Sequence, residues 1–223
     1  MAARRPVAPA APALPVRTER NARDAARTRA GGPGHVRIIG GQWKRTRLAV
    51  APKPGLRPTP DRVRETLFNW LGQDLSGLYC LDAFAGSGAL GFEAASRHAA
   101  HVTLVERDRQ LCAQLQANAR QLQARTITVR QGDGLHALQT RPAAATTDGA
   151  AGWDVIFLDP PYAAGLERPA LQHARQSLAP HGLLYLESSQ CWDDAVLQPL
   201  GWQRLHYLKA GAVHAHVLRL AIS

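Results

Sequence analysis

The sequence predicts an α/β fold, a mainly parallel seven-stranded sheet with helices on both faces, on three observations. From Leu78 onward, short apolar runs alternate with helix-length segments, the repeated βαβ pattern that makes strands parallel through right-handed crossovers. A glycine-rich turn, "DAFAGSG", joins the first strand of that series to its first helix. Acidic residues stand at successive strand ends, and in such sheets ligands bind beyond the carboxyl ends, where the strand order switches.

Residues 1–34 are rich in Ala, Pro and Arg without an apolar period, and are expected to form a disordered basic arm. An Arg- and Ala-rich, acid-poor leader also fits an organelle transit peptide. Residues 35–72 form a second expected unit, a basic hairpin and a helix. "HVRIIGGQWKRTRLAV" reads as two short strands, turning either at Gly40-Gly41 or in the KRTR stretch. "PKPGLRPTPD" is extended, because proline fixes φ and removes donors. The helix then takes Thr59 as N-cap and Pro60 in its first turn, and stops at Gly72. Val63, Leu67, Trp70 and Leu71 lie on one face of it.

Residues 73–223 form the third unit. Strands are expected at 78–84, 101–106, 126–131, 153–159 and 182–188, and in "QRLHYLKA" and "HAHVLRLA" near the end. Helices are expected at 89–99, 109–123 and 167–178. Residues 139–152, mostly small, read as a surface loop.

Charge is divided unevenly. Residues 1–64 carry 15 Lys/Arg against 3 Asp/Glu, a net +12, whereas the remainder is −2. A basic front end on a slightly acidic body points to a polyanionic partner. Cys80, Cys112 and Cys191 form no CxxC pair, which argues against a zinc site and suits a reducing compartment. No metal is expected. No apolar run approaches the roughly 20 residues that span a bilayer, so the expectation is a cytoplasmic protein without a membrane partner.

In "LDAFAGSGALGFEAA", Gly86, Gly88 and Gly91 form G-x-G-x-x-G between strand and helix, letting backbone approach a ligand closely. Asp82 ends that strand, and Glu106 ends the next, where a carboxylate can accept from both ribose hydroxyls of an adenosine. Glycines and Glu106 alone would also suit NAD. Asp82 favours instead a ligand with a cationic amino-acid moiety. Asp133, after the third strand, can accept from an adenine amine; each acid taken singly could as well be a helix cap or a solvated loop residue.

"DPPY" follows the fourth strand. A nucleobase amine is a poor nucleophile because its lone pair is delocalised into the ring. Acceptors aimed at its two hydrogens favour the pyramidal nitrogen of the transition state. Asp159 offers a carboxylate, a carbonyl of Pro160 or Pro161 a second acceptor, and the two prolines restrict the backbone that holds them. Tyr162 can stack on an extruded base.

"RIIGGQWKRTRLAV", "LRPTPDRVRETLFNWL", "DAFAGSGALGFEAASRHA" and "DVIFLDPPY" together resemble the RsmD family, over roughly residues 36–220. The family belongs to the class I S-adenosylmethionine-dependent methyltransferases, with a Rossmann-like fold. It methylates the exocyclic N2 of a guanine in bacterial small-subunit (16S) ribosomal RNA. The resemblance implies that S-adenosylmethionine is held by Asp82, Phe84, Ala85, Gly86, Ser87 and Gly88, by Glu106 and Arg107, and by Gly132 and Asp133. It implies that Asp159, Pro160, Pro161 and Tyr162 hold the target guanine. RNA contacts would come from Arg37, Lys44 and Arg45 in the hairpin and from Arg57, Thr59, Arg62 and Arg64 around the helix start. The expected substrate is 16S rRNA within a partly assembled small subunit, and the expected state a monomer. The arm and the 139–152 loop are additions to the family pattern.

DPPY also serves adenine N6 and cytosine N4 in RNA or DNA, so the tetrapeptide does not choose among them. A non-catalytic basic RNA-binding assembly protein would need only the cations of the front end.

Overall fold

The computed structural model describes residues 34–56, 58–142 and 152–221. The expected arm up to Pro33, Arg57 and most of the 139–152 loop lie outside them. The hairpin pairs β1 (Gly34–Arg37) with β2 (Arg47–Val50) antiparallel, Gly34 opposite Val50 and Arg37 opposite Arg47. Neither expected site makes a two-residue turn. Residues 38–46 form one loop containing both, closed by Ile38 N donating to Thr46 O (2.9 Å) and Arg45 N to Ile38 O (2.8 Å).

Helix α1 (Asp61–Leu71) buries Val63, Leu67 and Phe68 and ends at Gly72, where φ is 101°. Trp70 is only partly buried and stacks on His206, with ring centroids 5.0 Å apart. Thr59 is not the N-cap. Pro60 takes that position without a side-chain bond, and its carbonyl accepts from Val63 N and Arg64 N. Thr59 is itself buried, its carbonyl accepting from Arg64 Nε.

Next come β3 (Tyr79–Asp82), α2 (Ala89–Ser96), β4 (His101–Glu106), α3 (Arg109–Gln121), β5 (Ile127–Gln131), α4 (Gly134–Ala137) and β6 (Trp153–Leu158). The chain continues through α5 (Glu167–Ser177), β7 (Leu178–Ser188), α6 (Asp194–Leu197), β8 (Trp202–Ala210) and β9 (Val213–Leu220). The sheet order is β5-β4-β3-β6-β7-β9-β8, with β9 antiparallel to both β7 and β8 and every other pair parallel. Both faces are covered. On β6, Val155 and Phe157 enter one core with Phe68, Phe92 and Leu104, while Ile156 and Leu158 enter the other with Leu171 and Trp202. Each such side chain contributes roughly 1.5–3 kcal/mol. The order reverses between β3 and β6, where a crevice opens at the carboxyl edge. No helix among the described residues is long and apolar enough to cross a membrane.

The hairpin is part of the same packed body, since Ile38 and Leu48 share the first core. Its loop docks on the last turns of α2. Glu93, fully buried, accepts from Ile39 N (2.8 Å) and Gly40 N (2.7 Å), and also from Arg64 Nη1 (3.3 Å) and Arg97 Nε (2.9 Å). Ser96 Oγ donates to Gly40 O (2.6 Å) and accepts from Trp43 N (3.0 Å), and Gln42 N donates to Ser96 O (2.7 Å). At Gly41, φ is +72° and a Cβ would overlap the Ser96 carbonyl, so only glycine fits. Gly41→Ala is expected to lower stability by about 2 kcal/mol, read from the urea midpoint at unchanged slope.

Candidate active site

The glycine loop leaves β3 at Asp82 and is tied to the strands on either side. Ala83 N donates to Phe157 O (3.2 Å), and Ala85 N donates to Val105 O (2.9 Å). Gly88 is the left-handed N-cap of α2 (φ 77°), and a Cβ there would lie 2.6 Å from carbons of Phe92 and Leu115. Glycine is therefore dictated by conformation and by space. Gly86 is also left-handed, with φ +49°. Ala85 and Ser87 are buried and Phe84 is half-buried. Gly134, not singled out in the sequence, sits so close to this loop that a Cβ would meet Ala83 O and the Phe84 ring.

Asp82 is 2% exposed, and its Oδ2 accepts from Gly91 N at 3.1 Å. Burial pushes its carboxyl up to about 7, the Glu106 charge adds to this, and the amides of Gly91 and Phe84 oppose it. The folded protein thus binds this proton more tightly than the unfolded chain, and stability falls as pH rises from the ordinary carboxylate range to about 7. Asp82→Asn should remove that fall, checked by urea midpoints across the range.

Glu106 accepts from Gly86 N at Oε2 (2.9 Å) and from Asp108 N at Oε1 (2.8 Å), bracing the end of β4 against the glycine loop. Arg107 beside it is exposed, while Asp108 caps α3 and pairs with Lys53. Gly132 N donates to Glu106 O (3.0 Å), placing the next strand end alongside. Asp133 is exposed and caps α4, accepting from His136 N at 3.0 Å. Asp133 thus serves as a helix cap through Oδ1.

Asp159 follows β6 directly. Its carboxyl is held well above the usual range by burial first, then by the charges of Glu187 and Asp82. Pro160 is buried and Pro161 exposed. Tyr162 opens a short 3-10 turn, 38% exposed as a residue, with its hydroxyl donating to Glu187 Oε1 at 3.0 Å. Burial pushes its phenol up, as do the Glu187 and Asp159 charges. Sequence reasoning missed Glu187. The available signal was the i, i+2 spacing of Tyr185 and Glu187 in "LLYLES", which puts both on one face of β7.

Asp82, Glu106, Asp159 and Glu187 thus influence one another across the β3/β6 switch. Among the described residues, the charges acting on Asp159 are negative. Such a corner suits a ligand bringing positive charge and hydrogen-bond donors.

The basic residues divide. Lys44, Arg45 and Arg62 are exposed, and Arg37 pairs with Asp61 at 2.7 Å with over half its side chain accessible. Arg57 lies outside the described residues. Arg64 corrects the expectation of an RNA contact, because it is 1% exposed. Four of its five N–H groups donate inside the protein, to Thr59 O, Glu93, Arg37 O and Asp61, and its burial keeps it from a phosphate. The buried Thr59 side chain is likewise out of reach.

A family model described as "Conserved hypothetical protein 95" matches residues 36–219. "Ribosomal RNA small subunit methyltransferase D" of Escherichia coli K12 is 43% identical over 159 residues, 70% of this chain and 76% of that protein. The protein of the same name from Haemophilus influenzae is 40% identical over 187 residues, covering 81% and 91%. The solved Escherichia coli structure of yhhF superposes with a TM-score of 0.69 at 36% identity, covering 84% of this chain and 99% of that one. On the family model, the sequence relatives and the superposition together, this chain belongs to the RsmD family.

Proposed function

We propose that this chain transfers the methyl group of S-adenosylmethionine to the exocyclic N2 of a guanine in small-subunit (16S) ribosomal RNA. One observation carries the reading: an acidic corner, buried Asp82 with half-buried Asp159 and no cation acting on either among the described residues, meets a glycine loop and a base-sized aromatic at the strand switch. The relatives named as small-subunit rRNA methyltransferases support the substrate class.

When bound, S-adenosylmethionine supplies an electrophilic methyl group on a sulfonium. Asp82, which has no positive partner among the described residues, would take the cofactor's ammonium. The left-handed turns at Gly86 and Gly88 would bring the loop's main chain up to the cofactor, and Glu106 keeps unused lone pairs for ribose hydroxyls. Asp159 and a proline carbonyl accept from the target amine's two hydrogens, favouring the pyramidal nitrogen as it attacks. The Asp159 carboxylate is then the nearby base for the proton the amine sheds. These acceptors would serve an adenine or cytosine amine as well, so the choice of guanine rests on membership of the RsmD family and on the "RPTPDRVRETLFN" stretch rather than on this corner. Arg37, Lys44, Arg45, Arg57 and Arg62 would hold phosphates. The setting would be a partly assembled subunit in the bacterial cytoplasm, with the enzyme as a monomer.

The test incubates the protein with methyl-labelled S-adenosylmethionine and unmodified small-subunit particles, then digests the RNA and separates its nucleosides. Label in N2-methylguanosine is expected. Label in N6-methyladenosine or N4-methylcytosine would move the target base. RNA binding without any label would turn the reading to a non-catalytic assembly protein.

A further inference from the structure

Glu187 stands where β7 reaches the active-site edge, only 4% exposed. One of its oxygens accepts from the Tyr162 hydroxyl and the other from the Tyr185 hydroxyl, each at 3.0 Å. Tyr185 is fully buried, so it fixes the carboxylate from inside the core. Its neighbour Ser188 turns to the opposite face, donating to Glu167 (3.3 Å) and accepting from Trp192 Nε1 (3.2 Å), which holds the strand end from that side. The outward oxygen then meets Tyr162, an exposed residue. Hydrogen bonds to an ionised acceptor are about twice as strong as neutral ones. Tyr162 is therefore held at its hydroxyl by Glu187 and at its backbone by the preceding prolines. A ring held at both ends loses little freedom when a base stacks on it.

We propose that Glu187 is a positioning residue for methyl transfer, holding Tyr162 by its hydroxyl in the pose that receives the target base and setting a second negative charge beside Asp159. This rests on the reading of Tyr162 as the base platform. The groups acting on Asp159 are Glu187 from β7 and Asp82 from β3, while Tyr162 also feels Asp159 and, from α5, Glu167. Burial and both carboxylates act on Asp159 in the same direction, upward. Removing the Glu187 charge must therefore let Asp159 ionise at lower pH.

The test compares wild type, Glu187→Gln, Tyr162→Phe and the double variant as full chains, with S-adenosylmethionine and unmodified small-subunit particles. Tyr162→Phe removes one bond to a charged group and should lower kcat about tenfold at unchanged KM for S-adenosylmethionine. Glu187→Gln should lower kcat and move the acid limb of the pH profile to lower pH. The double variant should be no slower than the worse single, since both substitutions break one link. Ligand-free ¹³C NMR should show Asp159 titrating lower in Glu187→Gln. Wild-type kcat in Tyr162→Phe, or an Asp159 titration unmoved by Glu187→Gln, would overturn the proposal. Should Glu187→Gln fail to fold, Tyr162→Phe decides. If the wild type methylates no RNA, the proposed function fails and the Asp159 titration decides Glu187 alone.

Discussion

Asp159→Ala is expected to lower kcat and kcat/KM together by about 10²–10³-fold while S-adenosylmethionine still binds. The size follows from the state in which the carboxylate acts. A planar amine in the ground state gains little from a second acceptor, whereas a pyramidal nitrogen losing a proton gains a great deal. The loss therefore falls on turnover rather than on binding. Single-turnover transfer of labelled methyl, with cofactor affinity by calorimetry, separates the two. A variant turning over at the wild-type rate would remove Asp159 from the chemistry.

Glu93→Ala is expected to cost roughly 3–5 kcal/mol of stability, the range for removing one partner from a buried charge pair. Glu93 is 0% exposed and answers two guanidinium groups and two backbone amides at once. Its removal would leave Arg64 and Arg97, both nearly inaccessible, without their shared counter-charge. For a chain of this size each kcal/mol corresponds to about 2–4 °C in Tm, so scanning calorimetry should show a fall on the order of 10 °C. Urea unfolding within about 1 kcal/mol of wild type would mean that the network contributes little.

The sheet was legible because its strands are apolar runs bounded by turn residues. The expected 101–106 strand is His101–Glu106 in the structure, and the expected 153–159 strand differs from Trp153–Leu158 by one residue. The positions of the glycine loop and DPPY at strand ends were legible because each motif directly follows an apolar strand run. Arg64 was not. In "DRVRETLFNWL" it reads as an exposed cation beside Val63, yet it lies four residues before Phe68 and therefore on the buried face. The sign that it is internal sits 29 residues away, in Glu93, the one charge within "ALGFEAAS". Charge pairs between distant segments leave no local period. The short helix α4 was missed for another reason: four residues are too few to show a helical repeat. Thr59 was misplaced because proline can itself occupy the extended cap position, as Pro60 does at ψ 145°.

The hairpin loop grips α2 chiefly through its own main chain, by the amides of Ile39, Gly40, Gln42 and Trp43 and the carbonyl of Gly40. The side chains of Lys44, Arg45 and Arg47 stand exposed beside that grip. Attachment and exposed positive charge thus occupy different parts of the same nine residues and the strand that follows. Lineages can rewrite the charged half, and engineers can transplant it, while the helix that begins at the glycine loop stays in place. A new RNA preference could then arise without any revision of the chemistry.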